Sequence, residues 1–282
     1  MSRVPLGSDG GPLLYDPELM LRAAAIPQGV AADLIATARG FDRENVDAYA
    51  LASQRRAAVA AEEGRFAGSL VTIRDETGLP LAERDGHPRP NTTAEGLAGL
   101  SPAFATLGAQ GFDALALRRF PTLERIEHVH TAGNSSGLVD GAALALVGSA
   151  DYGARHRLRA RLRIRSVAVA SADPTMMLLG LIPATELALA RAGVAIADLD
   201  LVEANEAFAA VVLAFADHFG ADRDRLNVNG GAIALGHPVG ATGAILLGTL
   251  ADELERRDGT LGLVTLCAGG GQGIAAVVER VA

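Results

Sequence analysis

Three side chains in the last third of this chain have neighbours that suit chemistry: Asn205, His237 and Cys267. Cys267 closes the apolar run Leu261–Leu266 and leads into Gly269-Gly270-Gly271-Gln272-Gly273. Such a run predicts a strand that presents the thiol at its C-terminal end. The bare glycine backbone beyond it offers N–H groups to an oxyanion. His237 sits in Gly236-His237-Pro238, inside the glycine-rich tract 230–243. Pro238 suits the first turn of a helix, and Gly240 and Gly243 would let that helix approach a neighbour closely. This places His237 at a strand–loop–helix junction, where α/β proteins carry reactive groups. Asn205 follows a strand over Leu199–Val202 and opens a helix, so it is either an N-cap, a holder of a reactive water, or both. Phe208, one turn on, reads as core or as a pocket wall. The set amounts to a thiol beside bare glycine backbone, an imidazole and an amide. The plain alternatives are an inert core cysteine, a structural histidine and a cap.

A competing constellation exists. Gly133-Asn134-Ser135-Ser136-Gly137 fits the G-x-S-x-G nucleophile elbow, and Asp200 and His237 follow in the Ser…Asp…His order of an α/β-hydrolase. That reading gives the Asn205 and Cys267 loops nothing to do, and no HGGG-type oxyanion motif precedes it.

The elements that must position these groups alternate. Helices are predicted over Gln28–Arg39 and about Glu44–Glu63, and a strand over Ser69–Arg74. Turn-rich chain follows to about Glu127. Beyond it, Val129–Ala132 reads as a strand and Leu138–Val147 as an apolar helix. Strand and helix then alternate through Ser166–Ser171, Pro183–Arg191, Leu199–Val202, Glu206–His218, Val239–Glu255, Leu261–Leu266 and Ile274–Val278. Short apolar strands between helices predict an α/β fold with buried sheets. A boundary is placed near residue 150. The run Arg155–Arg165 carries arginine at every second position, which reads as one wet strand face or as a phosphate-facing surface.

Composition narrows the classes. The 282 residues are 49% hydrophobic and 21% charged, enough for one large domain or two. Net charge is -8 with no basic block, which argues against nucleic acid. All 25 basic residues are arginine, excluding a Schiff-base or Walker lysine. One cysteine excludes an internal disulfide framework and a cysteine-rich metal site, so no metal is expected. Neither a signal peptide nor a membrane-spanning run is evident, so the protein is expected to be cytoplasmic.

The segments Thr131–Gly137, Asp140-Gly141-Ala142, Val202–Phe208, Asn227–Pro238 and Leu266–Gly271 together resemble the thiolase family. The resemblance covers almost the whole chain. It implies two similar βαβαβαββ halves with a loop domain inserted in the first, here about 15–127, the first half being incomplete and residues 151–282 forming the second. It implies an acyl-CoA:acetyl-CoA C-acyltransferase, making or cleaving a 3-ketoacyl-CoA, with coenzyme A as co-substrate and no permanently bound cofactor. A homodimer or homotetramer is expected. Cys267 would be the acid/base at the acetyl α-carbon, acting as a thiolate poised by its surroundings. His237, with a water held by Asn205, would meet the enolate oxygen, and the Gly269 N–H would serve a second oxyanion hole. Phe208 would wall the acyl or pantetheine tunnel, and Ser171 would contact CoA. Thiolases use two cysteines, and this sequence has one. The expectation is a longer working protein that supplies the acyl-carrying cysteine; a short homologue or a non-catalytic thiolase-like subunit is the alternative. Pro27-Gln28-Gly29 also stands where many members have His-Met-Gly.

Overall fold

The computed structural model describes residues 2–4, 8 and 16–281, so most of the first dozen residues, read as loop, lie outside the described residues. Two helices open the body. Helix α1, Gln28–Arg39, has the predicted bounds and buries Val30, Leu34 and Ile35 completely. Helix α2, Arg43–Glu62, starts at Asp42, whose carboxylate accepts from Asn45 N while the Asn45 side chain accepts from Asp42 N, a reciprocal capping box.

The second part of the chain builds a four-stranded sheet from β1 (Leu162–Ser171), β2 (Leu201–Ala204), β3 (Leu261–Ala268) and β4 (Gln272–Arg280), in the order β1-β4-β3-β2. Strands β2 and β3 are parallel, with Ala204 opposite Thr265, and the other pairings are antiparallel. Alternation along the strands divides the core between two faces. Val202, Leu263 and Val277 point to one face, which carries α3 (Leu181–Ala192) and α4 (Ala209–Phe219) and joins the α1 and α2 core. Leu201, Val264 and Val278 point to the other, against Leu246, Leu250 and Leu254 of α6 (Thr242–Arg257), which follows the four-residue α5 (Ala232–Leu235). The predicted βαβαβαββ succession is present here. Its third strand is reduced to a single parallel bridge between Leu226 and Val202.

Several expectations are corrected. Leu138–Val147 takes no regular secondary structure, with Leu144 89% and Leu146 73% exposed. Its Ala-rich composition favours a helix, but nothing among the described residues offers that helix a face to bury against, and isolated short helices are marginal. Val129–Ala132 forms no ladder, because its backbone polar groups bond instead to side chains such as Asp33 and Asn134. Only Ile73–Arg74 of the strand predicted over 69–74 pairs, with Pro80–Ala82. The arginine run is split between a helix (Ala150–His156), a turn and β1. Arg161 binds Asp252 and Glu255, while Arg163 and Arg165 bind Glu279, so these three belong to ion pairs. Glu18–Arg39 does have the length and mean hydropathy, 1.3, of a membrane span. Ala24 in the left-handed region and Pro27 break it, and it is 56% buried in the protein.

Two constraints yield predictions. At the start of β4 the chain crosses the N-terminus of α3 so closely that a Cβ on Gly273 would lie 2.0 Å from Gly180 O. Gly273→Ala is expected to cost about 1–3 kcal/mol through overpacking, read as a lower urea midpoint. The second is an acidic clamp. Asp33, fully buried on α1, accepts from Val129 N (3.1 Å), His130 N (2.9 Å), His130 Nδ1 (2.7 Å) and His128 Nδ1 (2.7 Å). His128 Nε2 reaches Asp113 at 3.0 Å. Burial alone would lower the His128 pKa, but its bonds to Asp33 and Asp113 outweigh that and raise it. The clamp's contribution is therefore complete below the unfolded value of about 6.5 and is lost as pH rises through the raised folded value. The Tm gap between wild type and His128→Gln should be larger near pH 6 than near pH 9; an equal gap at both would contradict this.

Candidate active site

The parallel pair β2 and β3 sets the position of the site. Asn205 is the first residue beyond β2, and its N–H donates to Thr265 O at 2.9 Å, which holds it beside the end of β3. Cys267 is the penultimate residue of β3, paired with Gly273, and Gly269 opens the turn that follows. Both loops thus leave the carboxyl ends of adjacent parallel strands, where open α/β sheets place their ligands. His237 arrives from the loop between α5 and α6. Its Nε2 lies 3.4 Å from Asn205 Nδ2 and its Nδ1 lies 2.6 Å from Thr242 Oγ1. The segment 133–137 bonds the loops of Asn205 and His237: Ser136 N donates to Ala207 O (3.0 Å) and His237 N to Gly137 O (2.8 Å).

The electrostatics are those of neutral groups. Burial lowers the His237 pKa, so the ring is uncharged near neutral pH. A hydroxyl either donates or accepts, so Thr242 serves both tautomers. With the proton on Nδ1, Thr242 accepts and Nε2 takes the Asn205 amide hydrogen. With Thr242 donating to Nδ1, the proton sits on Nε2 and can be given to an oxygen. Asn205 Oδ1 is buried without a hydrogen-bond partner among the described residues. An orphaned buried acceptor costs about 1–3 kcal/mol, and a bound donor would recover it.

The expected roles meet this geometry unevenly. Asn205 and His237 touch; Cys267 and Gly269 stand at the same sheet edge. Asn205 does not cap the following helix, because the N-cap position of α4 belongs to Phe208, three residues on. His237 joins two helices, not a strand and a helix, and α6 starts at Thr242, so Pro238 lies before it. A Cβ on Gly240 or Gly243 would meet nothing within 4 Å, so neither permits a close approach. Phe208 is 8% exposed and stands edge-on to Phe104 and His130. Ser171 is exposed at the end of β1, opposite Gln272, at the same end of the sheet as Ala268. The expectation of a thiolate poised by its surroundings is corrected, since burial pushes the Cys267 thiol up to about 12. The elbow is not assembled either: Asp200 Oδ2 accepts from Thr260 N and Leu261 N, and His237 bonds Asn205 and Thr242. Among the described residues no group of three or more His, Cys, Asp or Glu is arranged to hold a metal ion. Thr242 and Glu206 were missed by sequence reasoning. Adjacency to His237 and Asn205 was the available signal, and it does not separate them from other neighbours.

An α/β protein with an amide–imidazole pair and a thiol at the carboxyl ends of parallel strands is the class this architecture defines. The chain belongs to the thiolase family: the thiolase N-terminal domain matches residues 13–111 and the C-terminal domain residues 158–280. It is 43% identical over 264 residues to an acetyl-CoA acetyltransferase of Escherichia coli K12, covering 93% of this chain and 62% of that one. It is 42% identical over 264 residues to a 3-ketoacyl-CoA thiolase of Erwinia tasmaniensis, covering 92% and 63%. The crystal structure of the Bacillus anthracis acetyl-CoA acetyltransferase superposes with TM-score 0.79 at 36% identity, covering 91% of this chain and 60% of that one. A human mitochondrial 3-ketoacyl-CoA thiolase in complex with CoA gives 0.76 at 34%, covering 91% and 59%. The chain therefore spans about three-fifths of the length of these relatives.

The raised thiol pKa has a direct consequence. With its pKa raised, Cys267 holds little thiolate at pH 8, so alkylation by iodoacetamide should be slow and should keep climbing from pH 8 to 10. Mass spectrometry of the Cys267 peptide reads the rate; a plateau near pH 8.5 would contradict the burial argument.

Proposed function

We propose that this chain carries the enolate-handling part of an acyl-CoA:acetyl-CoA C-acyltransferase, which condenses two acyl-CoA thioesters or cleaves a 3-ketoacyl-CoA with coenzyme A. The observation that carries this is the contact between Asn205 and His237 at the strand ends beside the Cys267 loop. A thioester α-carbon is a poor acid unless its enolate oxygen meets preorganised donors. In this reading His237 Nε2–H, set by the Thr242 hydroxyl, and a water held by Asn205 are those donors, and the Gly269 N–H belongs to a second oxyanion site. Cys267 moves the α-proton. In the state described it is a neutral thiol, suited to returning a proton to the enolate carbon; to remove one it must first give up its own. Attack on the β-carbonyl carbon of a 3-ketoacyl-CoA by the thiolate of a carrier cysteine breaks the bond between the α- and β-carbons, and the departing acetyl-CoA enolate takes up that proton. The acyl group is left as a thioester on the carrier, from which attack by the coenzyme A thiolate releases acyl-CoA and frees the cysteine. We assign the carrier to a cysteine outside these 282 residues, as Cys267 is the one thiol among them.

The same reading places the division of the two halves near residue 150 and Ser171 among the groups that meet CoA. It makes arginine the partner of the CoA phosphates. We further propose a cytoplasmic homodimer or homotetramer.

In the full-length protein, Cys267→Ala and His237→Ala are each expected to lower thiolysis of acetoacetyl-CoA by about 10²–10⁴-fold, the usual range for a positioned acid/base. Loss of the thioenolate absorbance measures it. Wild-type rates in either variant would remove the assignment, and a full-length protein without thiolysis would favour a non-catalytic thiolase-like subunit.

A further inference from the structure

We propose that Glu206 is a positioning residue which locks Asn205 and His237 into register with each other. The proposal rests on the reading of those two side chains as enolate donors. Glu206 follows Asn205 directly and is 1% exposed. Its carboxylate accepts from Tyr49 Oη (2.8 Å), Ser53 Oγ (2.7 Å), Asn227 Nδ2 (3.2 Å) and Ile233 N (3.2 Å). These donors come from three places: two from α2, one from the loop after the Leu226 bridge, and one from the first turn of α5, four residues before His237. One carboxylate therefore ties the strand end that carries Asn205 to the segment that delivers His237, with α2 as the common anchor.

The packing around it leaves little slack. A Cβ on Gly231 would lie 2.5 Å from Glu206 Cδ, and one on Gly230, at φ +75°, would lie 2.6 Å from Ser53 O. Gly231 N also donates to Ser53 Oγ at 3.1 Å. The segment entering α5 is thus seated directly on the Glu206–Ser53 bond. Tyr49 is in turn held by Asn227 Nδ2 at 3.1 Å. A buried carboxylate needs its donors, and the backbone N–H of Ile233 cannot turn to another acceptor without moving the chain that ends in His237. Glutamine at 206 must point its NH2 at one pair of donors, so one pair loses its acceptor.

The test uses the full-length protein and two readouts: exchange of acetyl-CoA α-protons in D2O, and the ring ¹⁵N signals of His237, assigned by loss in His237→Gln. Glu206→Gln and Tyr49→Phe are compared with wild type. The expected result is an exchange kcat lower by roughly tenfold or more, KM for acetyl-CoA nearly unchanged, and a shifted His237 signal, as follows from misplacing a group by a fraction of an ångström to about 1 Å. Where Glu206→Gln does not fold, Tyr49→Phe and Ser53→Ala decide, each deleting one donor and keeping the carboxylate. Wild-type exchange in the variants overturns the proposal whatever the imidazole does. If the wild-type protein itself shows no exchange, the catalytic reading fails separately, and the His237 signal then decides: a shift supports the positioning role and an unmoved signal overturns it.

Discussion

A carboxylate taken out of water must collect donors, and the arrangement of this molecule follows from where three of them collect theirs. Asp33 gathers the 128–130 segment onto α1. Asp47, on α2, accepts from Asn134 Nδ2 at 2.7 Å and pairs with Arg43, fixing the 131–137 segment. Glu206 gathers α2, the 227 loop and α5. Each bond set joins chain segments that are far apart in sequence, and each is buried, so a partner once lost is not replaced by solvent. The apolar core supplies most of the driving force, but it is tolerant of small shifts. Hydrogen bonds to a buried carboxyl group are not, and they give the loops at the strand ends one arrangement.

Helix α2 is common to the Asp47 and Glu206 sets. It contacts the core through Val46, Ala50 and Leu51. Tyr49, Ser53 and Arg56 turn towards the second part of the chain, with Arg56 donating to Leu226 O at 2.9 Å and to Arg223 O at 2.9 Å. A helix of 20 residues is about 30 Å long, so it can brace both the Leu226 bridge and the Gly230–Gly231 turn at once. The truncated third strand is intelligible in these terms. A longer strand at 226–230 would bond to β2 throughout, whereas this chain leaves the sheet early and bonds to α2 and Glu206.

How much of this was legible in the sequence depended on the range of the interaction. Helix α1 was readable to the residue because Ala-rich amphipathic spacing and Gly40 are local signals. The strands of the second part were readable as short apolar runs bounded by glycine and aspartate. Leu138–Val147 misled because composition reports what a segment would prefer, not whether a surface exists for it to lie on. Asn205, His237 and Cys267 were legible as types in glycine-rich settings, but the thiol's pKa was not, since burial is a tertiary property. Glu206 was illegible for a plainer reason: Tyr49 stands 157 residues before it. Nothing near Glu206 in sequence distinguishes a buried hub from a solvated glutamate.

The state of the reactive side chains explains why such rigidity matters. None of the three carries a formal charge at neutral pH: Asn205 is an amide, His237 is held neutral by burial, and the Cys267 thiol is pushed the same way. A site that stabilises negative charge with a full cation gains from Coulomb attraction over several ångströms and tolerates displacement. One that relies on single N–H donors gains only at hydrogen-bond distance and alignment. Asn205 Oδ1, buried and without a partner among the described residues, follows the same logic: it is kept in place against its desolvation penalty, where an arriving donor can relieve it. Neutral donors avoid the still larger penalty of a buried cation and demand close placement in return. The buried carboxyl groups of Asp33, Asp47 and Glu206 supply that placement, their oxygens being met by donors of the scaffold.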